Sequence, residues 1–164
     1  MTLPSDSVTY RLVFDVAQAG YRYWWFPAVG SIFLTIGVAW LLVGKRMPEL
    51  SLWTRLLAPA ILTGLAALWT VASFLVTFSD YVDLRHALLA GAYATVHATV
   101  NNFRAGDGHQ AESFVIDGHR FEYGSSTVTA GYNRDAAVGG LVREGLQVRI
   151  ADVGGKIARL EIAQ

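Results

Sequence analysis

The chain has no cysteine. Disulfides, thiolate nucleophiles and thiolate-held metals are therefore excluded, and redox compartment leaves no mark on the sequence. Net charge is missing as well: 13 basic residues balance 13 acidic ones over 164 residues. Residues 80–164 hold eight basic and ten acidic residues, so this stretch lacks the electrostatic footprint that nucleic acid requires. Neither a glycine-rich phosphate loop nor a nucleophile elbow is present, and a Ser/His/Asp set assembled without such a context carries no catalytic argument.

The most informative absence is local. Residues 23–44 and 56–79, runs of 22 and 24 residues, contain no Asp, Glu, Lys, Arg or His. A helix of about 20 apolar residues crosses the hydrocarbon of a bilayer. The two runs, joined by the charged loop 45–55, therefore predict a transmembrane helical hairpin over 23–79. Two core helices of a soluble domain are the alternative, but uncharged runs of this length are long for such a role. Pro27 and Pro59 fall in the first turns, where a missing N–H is harmless. Tyr21, Tyr23, Trp24, Trp25 and Phe26 crowd one end of the first run, Trp40 and Trp53 lie near the other, and Phe78 and Tyr81 close the second. Such rings favour the headgroup level. With no ionisable group inside either span, a proton relay or ion pathway is not expected. The first 22 residues carry charges and lack an apolar core. The first span is thus expected to be an uncleaved anchor rather than a signal peptide.

The spans carry a packing pattern. Gly30, Gly37 and Gly44 recur every seven residues on one face of the first helix, and Ala60, Gly64, Ala67 and Val71 make a small-residue face on the second. Lipid gives helices no hydrophobic reason to meet, so close approach over small residues must supply it. The two faces either pack on each other within one chain or form a homo-oligomer interface.

Flanking segments follow from periodicity. In residues 7–23, Arg11, Asp15, Gln18 and Arg22 fall on one stripe and Val8, Leu12, Val16, Ala19 and Tyr23 beside it. This predicts an amphipathic helix, capped by Ser5 or Ser7 and lying in the membrane interface, so that residues 1–22 form an interfacial segment. Residues 80–90 read as a short linking helix with Asp80 as N-cap and Gly91 just past its end. From residue 91 the period changes to two. Ala92, Ala94, Val96, Ala98 and Val100 alternate with Tyr93, Thr95, His97, Thr99 and Asn101. Strands are also expected at 112–117, 119–123, 127–130, 146–151 and 158–162. Asp117-Gly118 and Gly154-Gly155 read as hairpin turns. Residues 91–164 thus predict a small OB-like or SH3-like β-barrel, with a small sandwich as the alternative.

Residues 131–145 form the one long irregular stretch, either a binding surface or a simple crossover. Tyr132, Asn133 and Arg134 within it, with Tyr123, are the candidate ligand or partner surface. His109, Glu112 and His119 match no zinc spacing, and His97 and His119 read as exposed strand residues. No catalytic residue, cofactor site or metal site is expected.

The runs Gly91-Ala-Tyr93, Val100-Asn-Asn-Phe103, Gly108-His109-Gln-Ala-Glu112-Ser-Phe114, Thr129-Ala-Gly-Tyr-Asn133, Gly139-Gly140, Glu144-Gly-Leu-Gln-Val-Arg-Ile150 and Arg159-Leu-Glu-Ile162, with Trp25-Phe26-Pro27-Ala28, carry a resemblance. The chain resembles uncharacterised bacterial two-pass inner-membrane proteins with a small C-terminal β domain. Where that pattern has an aromatic after Ile150, this chain has Ala151 and Asp152. The resemblance implies a bacterial inner membrane and brings no established activity with it. Lys45, Arg46 and Arg55 concentrate positive charge in the loop, against Arg11, Arg22 and Arg85 on the other side. The loop is therefore expected on the cytoplasmic side and the β domain in the periplasm or exterior. The expected function is a membrane-anchored, non-enzymatic module whose β domain binds a protein partner or stabilises a membrane complex. A ligand-sensing domain for a small molecule or oligosaccharide is the alternative. The partners expected are the bilayer and a protein or a second copy, and not nucleic acid.

Overall fold

Turn chemistry organises the β region. Asp117-Gly118 and Gly154-Gly155 have φ of 49°, 79°, 60° and 84°, the left-handed pairs that tight antiparallel hairpins need. A computed structural model describes residues 8–106 and 110–164. These residues fall into two compact units, one within Met1–Tyr21 and Asp80–Gln164, the other Arg22–Ser79.

Among the described residues the first unit holds seven strands: β1 (Tyr10–Asp15), β2 (Ala94–Thr99), β3 (Asn101–Arg104), β4 (Glu112–Ile116), β5 (His119–Tyr123), β6 (Gln147–Val153) and β7 (Lys156–Ala163). They make a four-stranded sheet, β1-β7-β6-β2, and a three-stranded sheet, β3-β4-β5. Every pairing is antiparallel. The sheets do not close into the expected barrel; the two-sheet arrangement is nearer the sandwich alternative. The chain changes sheet at Val100, which is fully buried between β2 and β3 and exchanges hydrogen bonds with Leu146 and Gly145. Strands that bend from one sheet into another make such corners. One apolar cluster draws on both sheets, with Val148, Ile150 and Leu160 from one and Phe114, Ile116 and Phe121 from the other. Leu84 and Leu88 complete it. Residues 127–130, expected as a strand, are irregular.

The N-terminal segment departs from its helical reading. Tyr10–Asp15 is an edge strand on β7, and only Val16–Ala19 (α1) is helical. The proposed caps Ser5 and Ser7 lie outside the described residues. The physical reason is long-range pairing. Asp15 is 5 % exposed. Its Oδ1 accepts from the N–H groups of Ala17 and Gln18, at 2.8 and 3.3 Å. Its Oδ2 accepts from Arg159 Nε at 2.8 Å, and Arg159 Nη2 forms an ion pair with the same oxygen at 2.8 Å. Phe14 and Val16 join the core instead of a membrane interface.

The second unit contains α2 (Trp25–Gly44), a π-helical turn (Trp53–Leu57) and most of α3 (Ala58–Leu89). By length and composition, two helices among the described residues are apolar enough to cross a membrane, Trp25–Gly44 and Trp53–Leu89. The π turn accommodates Pro59, which has no N–H to give the Arg55 carbonyl; Ala58 bonds back to Trp53 instead. The linking helix expected at 80–90 is not separate, because α3 runs through to Leu89. Asp80 is therefore no N-cap. Its carboxylate accepts from Ala130 N at 2.7 Å and Thr129 Oγ1 at 3.4 Å and pairs with Lys156.

Gly30, Gly37 and Gly44 are the buried residues of α2. A Cβ at Gly37 would meet Thr63 Oγ1 at 2.5 Å, and one at Gly44 the Arg55 carbonyl oxygen at 2.6 Å. At Gly30 it would strike Thr70, whose Cα lies 3.2 Å away. This favours packing within one chain. The partner face on α3 differs from the expected one. Ala60 and Gly64 are exposed, and a Cβ on Gly64 would meet nothing within 4 Å. Ala67 is half-buried and Val71 is exposed. The contacting face runs one residue earlier, through Pro59, Thr63, Ala66 and Thr70. Threonine serves there because its hydroxyl satisfies itself within the helix: Thr63 donates to Pro59 O and Thr70 to Ala66 O, both at 2.7 Å.

Candidate functional site

Residues 131–145 are pinned from within by two buried carboxylates. Glu112 opens β4 in phase with Phe114 and Ile116, so its side chain enters the core, where it is 1 % exposed. Glu112 Oε1 accepts from Ala136 N at 2.8 Å. Asp135 caps the 3-10 turn Ala136–Val138, and its Oδ2 accepts from Ser125 N at 2.8 Å and Ser125 Oγ at 2.6 Å. These donors hold the Asp135 carboxyl below its ordinary range, the Ser125 hydroxyl first and the Ser125 N–H next. Tyr132 Oη accepts from Leu141 N at 3.4 Å.

The expected ligand or partner surface is corrected here. Tyr123, Tyr132 and Asn133 are 2, 3 and 9 % exposed. The two tyrosines are core side chains with ring centroids 5.3 Å apart. Of the four residues only Arg134 is exposed. The rim that a small-molecule site would need is filled, because Tyr123 and Tyr132 point inward beside Glu112 rather than outward beside Arg134. Burial pushes the hydroxyl pKa of both tyrosines up, and the Glu112 carboxylate adds to the effect. Tyr123 Oη and Glu112 Oε2 are both buried and, among the described residues, make no hydrogen bond of normal geometry.

Accessible chemistry lies instead on the outer face of the four-stranded sheet. His97, Arg149 and Glu161 stand in one row across β2, β6 and β7. Arg149 pairs with Glu161 at 3.3 Å and stacks over the Tyr10 ring, 4.4 Å from its centroid. The Tyr10 hydroxyl meets His97 Nε2, and the two rings lie edge to face at 5.4 Å. Beside this cluster Tyr93, Thr95, Arg149, Arg159 and Glu161 line a hollow of about 150 Å³. The outward members of the period-two pattern contain most of these residues. Tyr10 was the one hidden by the helical reading.

His119 is exposed at the β5 turn, and His109 lies outside the described residues. Among the described residues no three His, Asp or Glu side chains gather as a metal site. Comparisons with protein-family models, with curated proteins and with solved structures gave no match.

Proposed function

We propose that the chain is a membrane-anchored, non-enzymatic module, held by its helical hairpin, whose β domain engages a protein partner or stabilises a membrane complex. One observation carries this reading: an exposed apolar hairpin is bracketed by two strands of the same sheet. Ile32, Leu65, Leu68, Leu75 and Val76 are about 60 % exposed or more, and only 11 % of the apolar window of each helix is buried. Patches of this extent call for an apolar covering, and lipid supplies it. Strand β1 precedes the hairpin and β7 follows it, yet they are hydrogen-bonded. A membrane crossed by the hairpin must then leave both ends on one side. The finer reading places the chain in a bacterial inner membrane, with Lys45, Arg46 and Arg55 on the cytoplasmic side and the β domain outside. Tyr10, Tyr93 and Arg149 supply residue types favoured at protein interfaces.

The chain has no cysteine, so single introduced thiols report without background. Val8→Cys, Ser51→Cys and Gln164→Cys chains in intact bacterial cells should give impermeant maleimide labelling at positions 8 and 164 but not at 51. Labelling at 51 alone reverses the orientation. Labelling of 8 and 164 from opposite sides removes the hairpin. For the partner, affinity purification in mild detergent should recover a stoichiometric protein that Arg149→Ala and Tyr10→Ala reduce. Recovery of the chain alone in several detergents argues against the partner reading.

A further inference from the structure

On the three-stranded sheet, the pairing of β3 with β4 slips between Asn101 and Arg104. Asn102 takes a φ of 53°, in the left-handed region that asparagine tolerates better than most side chains. Phe103 N–H leaves the ladder and donates to the Glu144 carboxylate at 2.6 Å. Such bulges re-aim side chains and are frequent beside functional sites. Here the bulge sets Asn102, Phe103 and Arg104 along one wall of a cleft of about 430 Å³, completed by Ser113 and Val115 on β4 and Arg120 on β5.

The lining is cationic: two guanidinium groups and, among the described residues, no carboxylate. Arg104 makes no ion pair among the described residues. Arg120 donates to Ser113 Oγ at 3.4 Å and meets Glu122 at 3.6 Å, where both side chains are about 60 % exposed and water screens the pair. Ser113 is 5 % exposed and forms part of the floor, and Phe103 and Val115 are the half-buried apolar part of the wall.

We infer that this cleft binds a phosphate group carried on a small organic body. Guanidinium forks match phosphate oxygens with paired, charge-assisted hydrogen bonds. Two of them on different strands, with the Ser113 hydroxyl and the Asn102 carboxamide in the same lining, suit a group with several anionic oxygens better than a two-oxygen carboxylate. The volume lies within the range of small-ligand sites, and the Phe103 ring gives the organic body a surface. The inference is independent of whether the hairpin spans a bilayer. The phosphate could come from a soluble monoester or from a lipid headgroup, which share this chemistry.

The test titrates the full chain in phosphatidylcholine nanodiscs by calorimetry with three probes: inorganic phosphate, glycerol 1-phosphate, and short-chain phosphatidylglycerol below its micelle concentration. At least one should bind saturably. Arg104→Gln with Arg120→Gln should weaken that binding by about tenfold or more, as loss of charge-assisted bonds does. Arg143→Gln, exposed and not among the residues that line the cleft, should leave it unchanged. Saturation by either soluble phosphate assigns a soluble ligand, and saturation by phosphatidylglycerol alone assigns a headgroup. No saturable binding by any probe overturns the inference. So does binding that the double substitution leaves intact, with circular dichroism showing both proteins folded.

Discussion

The two units of this chain are built by opposite rules. In the β unit the large side chains are inside: Phe114, Ile116, Ile150 and Leu160 have no exposed surface. In the hairpin they are outside, and the contact between helices belongs to glycine and threonine. Charge divides the same way. The β unit carries ion pairs at Asp15–Arg159, Asp80–Lys156 and Arg149–Glu161, while hydroxyl groups in the hairpin return to their own backbone. Water drives large apolar groups together, so they fill the interior of the β unit. Lipid would not distinguish such groups from itself, so the reversed pattern of the second unit is what the proposed membrane placement would produce, with close backbone approach holding the helices together.

The largest expected effect is a matched pair that tests this inversion. Ile150 is fully buried and Ile32 is 60 % exposed. Ile150→Ala should destabilise the β unit by about 2–5 kcal/mol. Ile32→Ala should change stability by roughly 0.5 kcal/mol at most, as surface substitutions do. Denaturant titration in one mild detergent measures both. Equal costs would mean that protein, not lipid, covers Ile32. Next comes Asp15→Ala, which leaves three hydrogen bonds unmade and Arg159 without its carboxylate. The expected cost is about 2–4 kcal/mol, with hydrogen exchange accelerated in both β1 and β7. Acceleration confined to β1 would show that β7 keeps its place without it.

A third pair tests the helix contact. Gly37→Leu drives a side chain into Thr63, whereas Gly64→Leu enters open space. The first should cost about 1–3 kcal/mol, as overpacking does. The second should leave the monomer unchanged. If Gly64→Leu instead abolishes a dimer seen by crosslinking in nanodiscs, the face with Ala60 and Ala67 is an interface between copies.

Legibility in the sequence followed the same divide. The two apolar helices could be read because a long uncharged run is a local signal. Even so, the second helix's contact face lay one residue from the expected one, because alanine and glycine counted as small while Thr63 and Thr70 counted as polar. Both tight turns were legible from their Asp-Gly and Gly-Gly pairs. Strand β1 was not. Arg11, Asp15, Gln18 and Arg22 fit a helical stripe, and the competing instruction comes from Arg159, 144 residues away. The buried tyrosines were misplaced because a Tyr-Asn-Arg stretch in an irregular segment resembles a binding loop. The missed signal was Glu112, two and four residues before Phe114 and Ile116, which put a carboxylate on the core face where the Ala136 N–H comes to meet it.

Asp135 gives a smaller effect with a definite pH sign. Its folded-state pKa lies below the ordinary 3.8, so the unfolded chain takes up a proton more readily. The stability it contributes is fully present above that value and is lost as pH falls through the lower folded one. Asp135→Asn should cost about 1–2 kcal/mol at neutral pH, because weaker acceptors face Ser125. It should also remove part of the acid-side slope in a series of melts from pH 6 to roughly pH 2. An unchanged acid limb would assign that slope to other carboxylates.

The smallest effect has the least obvious sign. Tyr123 is almost fully buried beside Glu112, yet its hydroxyl and Glu112 Oε2 make no normal hydrogen bond among the described residues. A buried polar group without a partner is a cost, and exchanging it for an apolar group of the same shape removes that cost. Tyr123→Phe keeps the ring contacts with Phe114 and Tyr132, whose centroids lie 5.6 and 5.3 Å away. It should therefore leave stability unchanged or raise it by up to about 1 kcal/mol. The alkaline limb supplies a second readout. Burial holds the Tyr123 proton beyond its ordinary value of 10.0, so the unfolded chain ionises first and stability declines as pH rises past it. The Phe variant lacks that contribution and should resist alkaline unfolding better than the parent. A clear loss of stability at neutral pH would show that the hydroxyl is satisfied, by Glu112 or by bound water. The carboxylate–tyrosine pair would then be a support of the loop rather than a tolerated defect beneath it.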